Sequence, residues 1–537
     1  MKINQPNELK KFSLFYIALL FCSCVSVNEF NARIEKEIPV NKLKEDVDYA
    51  QTKLKRFQPK IDLYLSEDEL NFKFDSLKQT LNVPLKANEF YLKLFPIFES
   101  LKHGHTGVYP IYKRYNSATR KKYKNSKSAF NDYSFFWKND TILLVKDFSK
   151  NQPVPSGARL TEIDGLSTQE LYNKYNETAY GDGYNTTYRT NVFNRTFLQF
   201  ISLEQGLKDS VELTFVNDNQ IIKKKTYRIF PDNQKKKETQ PANVQTKTVK
   251  VAQRQIKLKQ RRYGYNKSSK TYSKDLFFPT NDSTIAVLKI TDFRKGKIKK
   301  LYREVFTEIH NHKVKNLILD LRNNGGGYIK DAHCLYSYLV DDSKSFLGKK
   351  IVANKWSFGK SMYHLMPMPT YPFLWIGMGT SYVATSKISD KEYELKLSFS
   401  SAKSEKELVY QGNLYVLING GSYSASSLIA SNLQLKNRAF FVGEETGGDF
   451  NGTAAGLMPK FTLPNSKLSM SVGTVFISPI EQRAEIGHGV FPDKEIVPTL
   501  KSKMNRQDAE LSWVITDIKN RNIEYKKVIN KENHLPK

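Results

Sequence analysis

The stretch NLILDLRNNGGGY, residues 316–328, decides the fold. Leu317, Ile318, Leu319 and Leu321 run almost without a polar interruption, so this strand lacks the alternation of one with a solvated face. A continuously apolar strand belongs inside a parallel sheet, buried on both faces. It then runs into Asn323, Asn324 and the glycines Gly325, Gly326 and Gly327, where the backbone can approach a ligand because no Cβ intervenes. Such a loop also serves as a plain strand-to-helix connection. It lacks the Gly-Lys-Ser/Thr ending of a phosphate-binding loop.

Working outward, STIAVLKI (283–290) reads as a strand, FRKGKIKKLYREVFTEI (293–309) as a helix, and LYVLING (414–420) as a second buried strand followed by a helix from about Ser424. Strand, crossover helix and strand imply a right-handed parallel unit. The fold class is therefore α/β for a core over 281–500, interrupted at 342–410 by a segment rich in Met, Pro, Tyr and Trp. Residues 24–107 form an N-terminal helical region. Ser66 and Glu69 make a capping box there, and Leu70, Phe74, Leu77 and Leu81 recur at helical spacing. Residues 108–232 alternate short β-like runs such as TILLV and VELTF with turns, and 501–537 form a C-terminal helix and tail.

Three segments carry candidate chemistry beside the glycine loop. In LYVLINGGSYSASSLIASNL (414–433), Ser424 falls at a helix N-terminus, where free N–H groups favour a developing anion and the Ala425 amide can help hold an oxyanion. Ser422, Ser424 and Ser426 could equally be capping and packing residues. In SLKHGHTGVYP (100–110), His103 and His105 sit in a turn after a helix, where a neutral imidazole can act as general base. They could also lie in a surface turn; a metal site would need a third ligand, and no HExxH or carboxylate–histidine cluster supplies one. In RAEIGHGVFPDKEIVPT (483–499), Glu485 is a candidate to orient a catalytic group, as is the nearby Glu481; a plain turn with a solvated carboxylate is the alternative.

Taken together, GHT, GARLTEIDG, LILDLRNNGGG, VLINGGSYSAS, RAFFVGEETGG and GVFPD occur in an order that resembles the serine proteases of the C-terminal processing peptidase and tricorn core family. The resemblance covers roughly 40 to 520, and the layout resembles lipoprotein members from the Bacteroidetes group. It implies a ClpP/crotonase-like protease core and a PDZ-like domain over 108–232. It also implies Ser424 as nucleophile, and oxyanion donors at Ala425 and at Gly325 or Gly326. The family's common Ser-Ala-x-Glu pattern has Ser427 at its last position here, and Asp449 stands where processing peptidases carry a lysine. That favours the tricorn-like histidine base, matched by His105, with Glu485 as the orienting glutamate and Thr106 a substitute for the serine missing at Gly104. No cofactor or metal is implied. The substrate would be a peptide or an unfolded protein. The departures leave a second expectation open, a catalytically inactive peptide-binding scaffold of the same fold.

The N-terminus supplies an address. Lys10 and Lys11 precede an apolar run from Phe12 to Cys22, too short to span a bilayer comfortably. The ending FCSCVS resembles a lipoprotein box that would make 1–23 a signal peptide and Cys24 the lipid-bearing first residue. An ordinary signal or anchor helix is the alternative; either way the chain is expected to be exported. A lipid at Cys24 would hold it in the bacterial cell envelope, at the outer membrane or facing the periplasm. Its partners would then be substrate and membrane.

Charge places the remaining limits. The chain has 537 residues with 84 Lys and Arg against 54 Asp and Glu, a net +30 that invites a nucleic-acid reading. Residues 223–275 alone hold 17 basic against 3 acidic residues, and read as an extended basic linker over 233–280. Residues 411–500, with the proposed nucleophile, hold 6 basic and 7 acidic residues. Nearly half of the charge thus belongs to a linker on a chain expected to be exported, which argues for envelope contacts or solubility and against a nucleic-acid enzyme. The cysteines Cys22, Cys24 and Cys334 form neither a disulfide framework nor a paired zinc site.

Overall fold

A computed structural model describes residues 25–532 except 151, 232–246, 268, 281–282, 295, 342–344, 368–369, 372–373 and 398–403. The expected signal peptide and Cys24 lie outside the described residues.

Four helices open the described residues: α1 (Val27–Glu35), α2 (Val40–Phe57), α3 (Glu67–Thr80) and α4 (Ala87–Ser100). The capping box that starts α3 is formed, with the Ser66 hydroxyl taking the Glu69 amide at 3.2 Å and Glu69 Oε2 taking the Ser66 amide at 3.0 Å. Its apolar stripe, Leu70, Phe74, Leu77 and Leu81, is buried against α2 and α4. After α4 the chain turns through 101–106 and enters a short strand, Gly107–Tyr109, which pairs antiparallel with Ser469–Ser471. The two-histidine turn is thereby clamped to a segment beyond the second buried strand, more than 360 residues away in sequence.

Residues 133–227 form an antiparallel sheet in the order β1 (Tyr133–Lys138), β2 (Thr141–Asp147), β3 (Arg159–Ile163), β4 (Ser210–Asn217) and β5 (Gln220–Tyr227). Its apolar residues merge with the helical region into one core. Helix α5 (Thr187–Gln205) packs beside the edge strand β1, where Asn194 Oδ1 accepts the Trp137 amide at 2.6 Å.

The second core is built on a six-stranded sheet: β6 (Lys274–Phe277), β7 (Ile285–Ile290), β8 (Asn316–Asp320), β9 (Asn413–Ile418), β10 (Phe440–Gly443) and β11 (Lys494–Glu495). The first pair is antiparallel and the rest parallel. Alternate residues go to opposite faces, and both faces are covered, as the unbroken hydrophobicity of β8 requires. Leu317, Leu319, Val416 and Ile418 pack under α6 (Ile298–Asn311) and α7 (Ala425–Leu435). Ile318, Tyr415 and Leu417 pack against Val514 and Ile518 of α8 (Ala509–Glu532).

Two stretches are more regular than their composition suggests. Much of the basic segment, where described, is a helix (Lys247–Tyr263), a small hairpin (Tyr265–Asn266 with Thr271–Tyr272), and β6 itself. Its charge finds partners on α6: Arg262 pairs with Glu304, to which the buried Tyr263 also donates. The 342–410 interruption supplies strands Lys350–Val352, Thr385–Lys387 and Tyr393–Leu395 to a five-stranded antiparallel sheet completed by Thr453–Ala455 and Val475–Ile477. Local sequence is poorly informative here because each strand has only three residues.

Candidate active site

Strand β9 ends in Asn419-Gly420-Gly421, and the turn that follows puts Ser424 directly before the first residue of α7 with φ 59° and ψ −120°. Positive φ is costly for a residue with a side chain, so surrounding contacts must hold this turn. They do. The Tyr423 amide donates to the Asn324 carbonyl at 3.0 Å, and Asn419 Oδ1 accepts the amides of Asn323 and Gly421 at 2.9 and 3.0 Å. The Ser422 hydroxyl donates to the Leu321 carbonyl at 2.8 Å. The serine turn and the glycine loop are one stitched unit.

Four serines compete in this segment, and burial separates them. Ser422, Ser426 and Ser427 are buried, while Ser424 is partly exposed. Ser427, at the position the family fills with glutamate, donates to the Ser422 carbonyl at 3.0 Å. Its Oγ lies 2.5 Å from where a side chain on Gly448 would begin, so it packs against that glycine.

The glycine loop lies against the nucleophile turn. A Cβ on Gly326, whose φ is +90°, would fall 2.8 Å from Ser424 Cβ and 2.9 Å from the Ala425 nitrogen. The Ala425 amide is the first of α7 and has no intrahelical acceptor. The Gly326 amide, however, donates to Asn324 Oδ1 at 3.0 Å, and Gly325 is exposed with open space around it. Gly327 lines the cavity together with Ser424, Ala425 and His105.

That cavity measures about 420 Å³, and Ile298, Ile329, Phe358, Leu428, Leu457 and Met458 give it an apolar wall. His105 reaches it from the turn after α4. Its Nδ1 is 2.7 Å from the Tyr423 hydroxyl and 3.1 Å from Thr453 Oγ1, and its ring stacks on Tyr423 with centroids 4.7 Å apart. Burial, with repulsion from His103, pulls its pKa down to about 4, so the imidazole is neutral near pH 7. His103 is buried, with Nε2 2.9 Å from the Lys60 carbonyl and its ring against Tyr64; it ties the turn to the helical region.

Thr106 does not contact His105 through its hydroxyl. It donates to Gln58 and accepts the Gly473 amide at 3.1 Å. Glu481 and Glu485 are exposed on the loop before His488. Asn451 holds that loop through the Arg483 and Glu485 carbonyls at 3.0 and 2.7 Å, while the hydrogen bonds of His105 go to Tyr423 and Thr453. Asp449 is buried and accepts from the Tyr64 hydroxyl at 2.7 Å and the Asn451 and Gly487 amides at 2.7 and 2.6 Å. It knots three chain segments together.

One acidic residue beside the histidine escaped the sequence reading. Asp182 is 1% exposed; its Oδ1 accepts the Gly104 amide at 2.9 Å and the Tyr423 hydroxyl at 3.2 Å. The only local signal is its setting, Gly181-Asp182-Gly183. A Cβ on either glycine would lie within 2.3 Å of the Gly447 or Gly487 carbonyl, so the glycines let this turn press between two loops.

The fold has known counterparts. Residues 284–496 match the model of peptidase family S41. The chain is 24% identical over 331 residues to a "probable CtpA-like serine protease" of Staphylococcus epidermidis, an alignment covering 57% of this chain and 55% of the relative. It thus spans about half the length of the curated relatives it matches. The structure of mature CPAF complexed with lactacystin superposes with a TM-score of 0.54 at 14% identity, covering 90% of this chain and 98% of that one. An alanine variant of CPAF gives 0.55, also at 14% identity, covering 87% and 94%. At such identity the likeness is one of fold, and it extends over the helical region and antiparallel sheet as well as the core.

Proposed function

We propose that this protein is an exported, lipid-anchored serine endopeptidase that uses Ser424 as nucleophile and His105 as base. The observation that carries the reading is the meeting in one cavity of a partly exposed serine on a strained turn, a free helix-start amide and a neutral histidine from a distant segment. His105 Nε2 takes the Ser424 proton as Oγ adds to the peptide carbonyl, and the imidazolium then returns that proton to the leaving amine. Water repeats the sequence on the acyl-enzyme, releasing the acid and restoring both groups. The Ala425 amide, with a second amide from the glycine loop, supports the tetrahedral oxyanion, at roughly 3–4 kcal/mol per donor. The apolar cavity favours apolar substrate side chains, and the antiparallel sheet is read as a PDZ-like domain.

A fluorophosphonate probe tests this directly. Labelling of the wild type that disappears in Ser424→Ala, together with peptide hydrolysis, is the expected result. Hydrolysis that survives Ser424→Ala would overturn the assignment, and wild-type protein inert to both would favour the scaffold reading. The anchor has its own check: Cys24→Ser should move the protein from the membrane fraction to the soluble one.

A further inference from the structure

We propose that Asp182 is a positioning residue for the His105 base, acting through the Tyr423 hydroxyl to select the tautomer in which Nε2 is free. The inference rests on the reading of Ser424 and His105 given above and adds the group that controls it.

The argument is one of counting protons. The Tyr423 hydroxyl stands between Asp182 Oδ1 at 3.2 Å and His105 Nδ1 at 2.7 Å, and it has a single hydrogen to give. An ionised carboxylate only accepts, so the tyrosine hydrogen goes to Asp182. The phenol oxygen is then an acceptor, and the hydrogen between it and His105 must come from Nδ1. With Nδ1 protonated and the ring neutral, the lone pair lies on Nε2, as proton abstraction from Ser424 requires. Thr453 Oγ1, at 3.1 Å, can accept from the same Nδ1. Stacking of Tyr423 on His105 holds the ring while this contact is made.

Protonated Asp182 reverses the order. Its second oxygen, Oδ2, is buried with no hydrogen-bond partner, a poor place for half of a full negative charge, which favours protonation of the carboxyl. When the acid proton sits on Oδ1 it is donated to the Tyr423 oxygen, the Tyr423 hydrogen turns toward His105 Nδ1, the hydrogen of the neutral ring is then carried on Nε2, and the base is lost. Burial pushes the Asp182 carboxyl up to about 7, reinforced by the charge of Asp449 and opposed by the hydrogen bonds from the Gly104 amide and Tyr423. Of the titratable groups around it, Asp449 is also raised by burial. His105 and His103 are held neutral down to about 4, and burial drives Tyr423 and Tyr188 above their ordinary range. Activity should therefore fall as pH drops through about 7, and the limb should report Asp182 rather than the histidine.

The rate of fluorophosphonate labelling against pH, measured on the full chain, reads this without knowledge of the natural substrate. In wild type the rate should rise through one ionisation centred near 7. In Asp182→Asn and in Tyr423→Phe that ionisation should vanish, with labelling at pH 8 slowed at least tenfold. Persistence of the ionisation in a folded Asp182→Asn, or wild-type labelling rates in both variants, would overturn the proposal. Nitrogen NMR of labelled histidine in the wild type needs no variant: His105 should carry its hydrogen on Nδ1 above pH 7 and on Nε2 below. A tautomer that ignores this range rejects the role of Asp182 even in a protein that the probe never labels. Failure of labelling with the tautomer switch intact rejects only the peptidase reading.

Discussion

Single atoms decide whether this site can exist. Gly326 has φ +90° and faces the Ala425 nitrogen across a gap that a Cβ would reduce to 2.9 Å. Gly326→Ala is therefore expected to push the glycine loop off the nucleophile turn. Peptide hydrolysis should fall roughly a hundredfold, comparable to the loss of one oxyanion donor, with the melting temperature lowered by only a few degrees. Asp449 invites the opposite kind of substitution. Asp449→Lys restores the residue type of the lysine-dependent relatives, yet it removes the acceptor for Tyr64, Asn451 and Gly487. An ammonium buried among three stranded donors should cost roughly 3–5 kcal/mol, by analogy with a broken buried ion pair. Denaturant unfolding should register that loss, with no gain of activity.

At the level of elements, the contrast between Ser424 and Asp182 explains what a sequence can reveal. A buried strand, a glycine pair and a small-residue helix start are contiguous, so local chemistry makes Ser424 a candidate before any packing is known. The parallel core was legible for the same reason, since β8 is apolar on both faces. Asp182 meets Tyr423 only because its turn is wedged between loops at 447 and 487, a relation carried by backbone contacts with no pattern of their own. Glu485 misled in the converse way. Its type and neighbourhood suited an orienting role, but Asn451 fixes the backbone of its loop and leaves the side chain outside.

Arg322 shows how an element end is held. It grips Asp320 at the end of β8 and Asp508 at the start of α8, with two nitrogen–oxygen contacts to each of 2.9 and 2.7 Å. Both pairs brace the first residues of the glycine loop. Arg322→Met should destabilise the fold by roughly 3 kcal/mol, the low end for a broken buried pair because Asp508 is 40% exposed. Labelling of Ser424 in the surviving folded fraction should slow as well. A variant with unchanged melting temperature would show that the clamp is ornamental.

Over the whole molecule, two cores share the work. The helical region and antiparallel sheet form one, and the parallel sheet forms the other with a helix layer on each face. Helix α8 closes the second face with Val514 and Ile518 at 0 and 2% exposure. Ile518→Ala should cost roughly 2–3 kcal/mol, within the usual range for emptying a buried aliphatic position. Because the site lies on the other side of the sheet, labelling per folded molecule should be unchanged. A chain ending at 508 would leave Ile285, Val287, Ile318 and Leu417 bare and should aggregate.

The clamp of Gly107–Tyr109 onto Ser469–Ser471 has a consequence for the life of the chain. The proposed base emerges from the ribosome more than 300 residues before the serine, and the strand that fastens its turn comes later still. A nascent chain holds only part of the machinery, and a fragment broken anywhere between the two residues loses the strand pairing. Hydrolytic competence would thus be the last property acquired, a form of self-restraint that requires no removable pro-segment. The molecule would be harmless to its surroundings until its two cores had closed on each other.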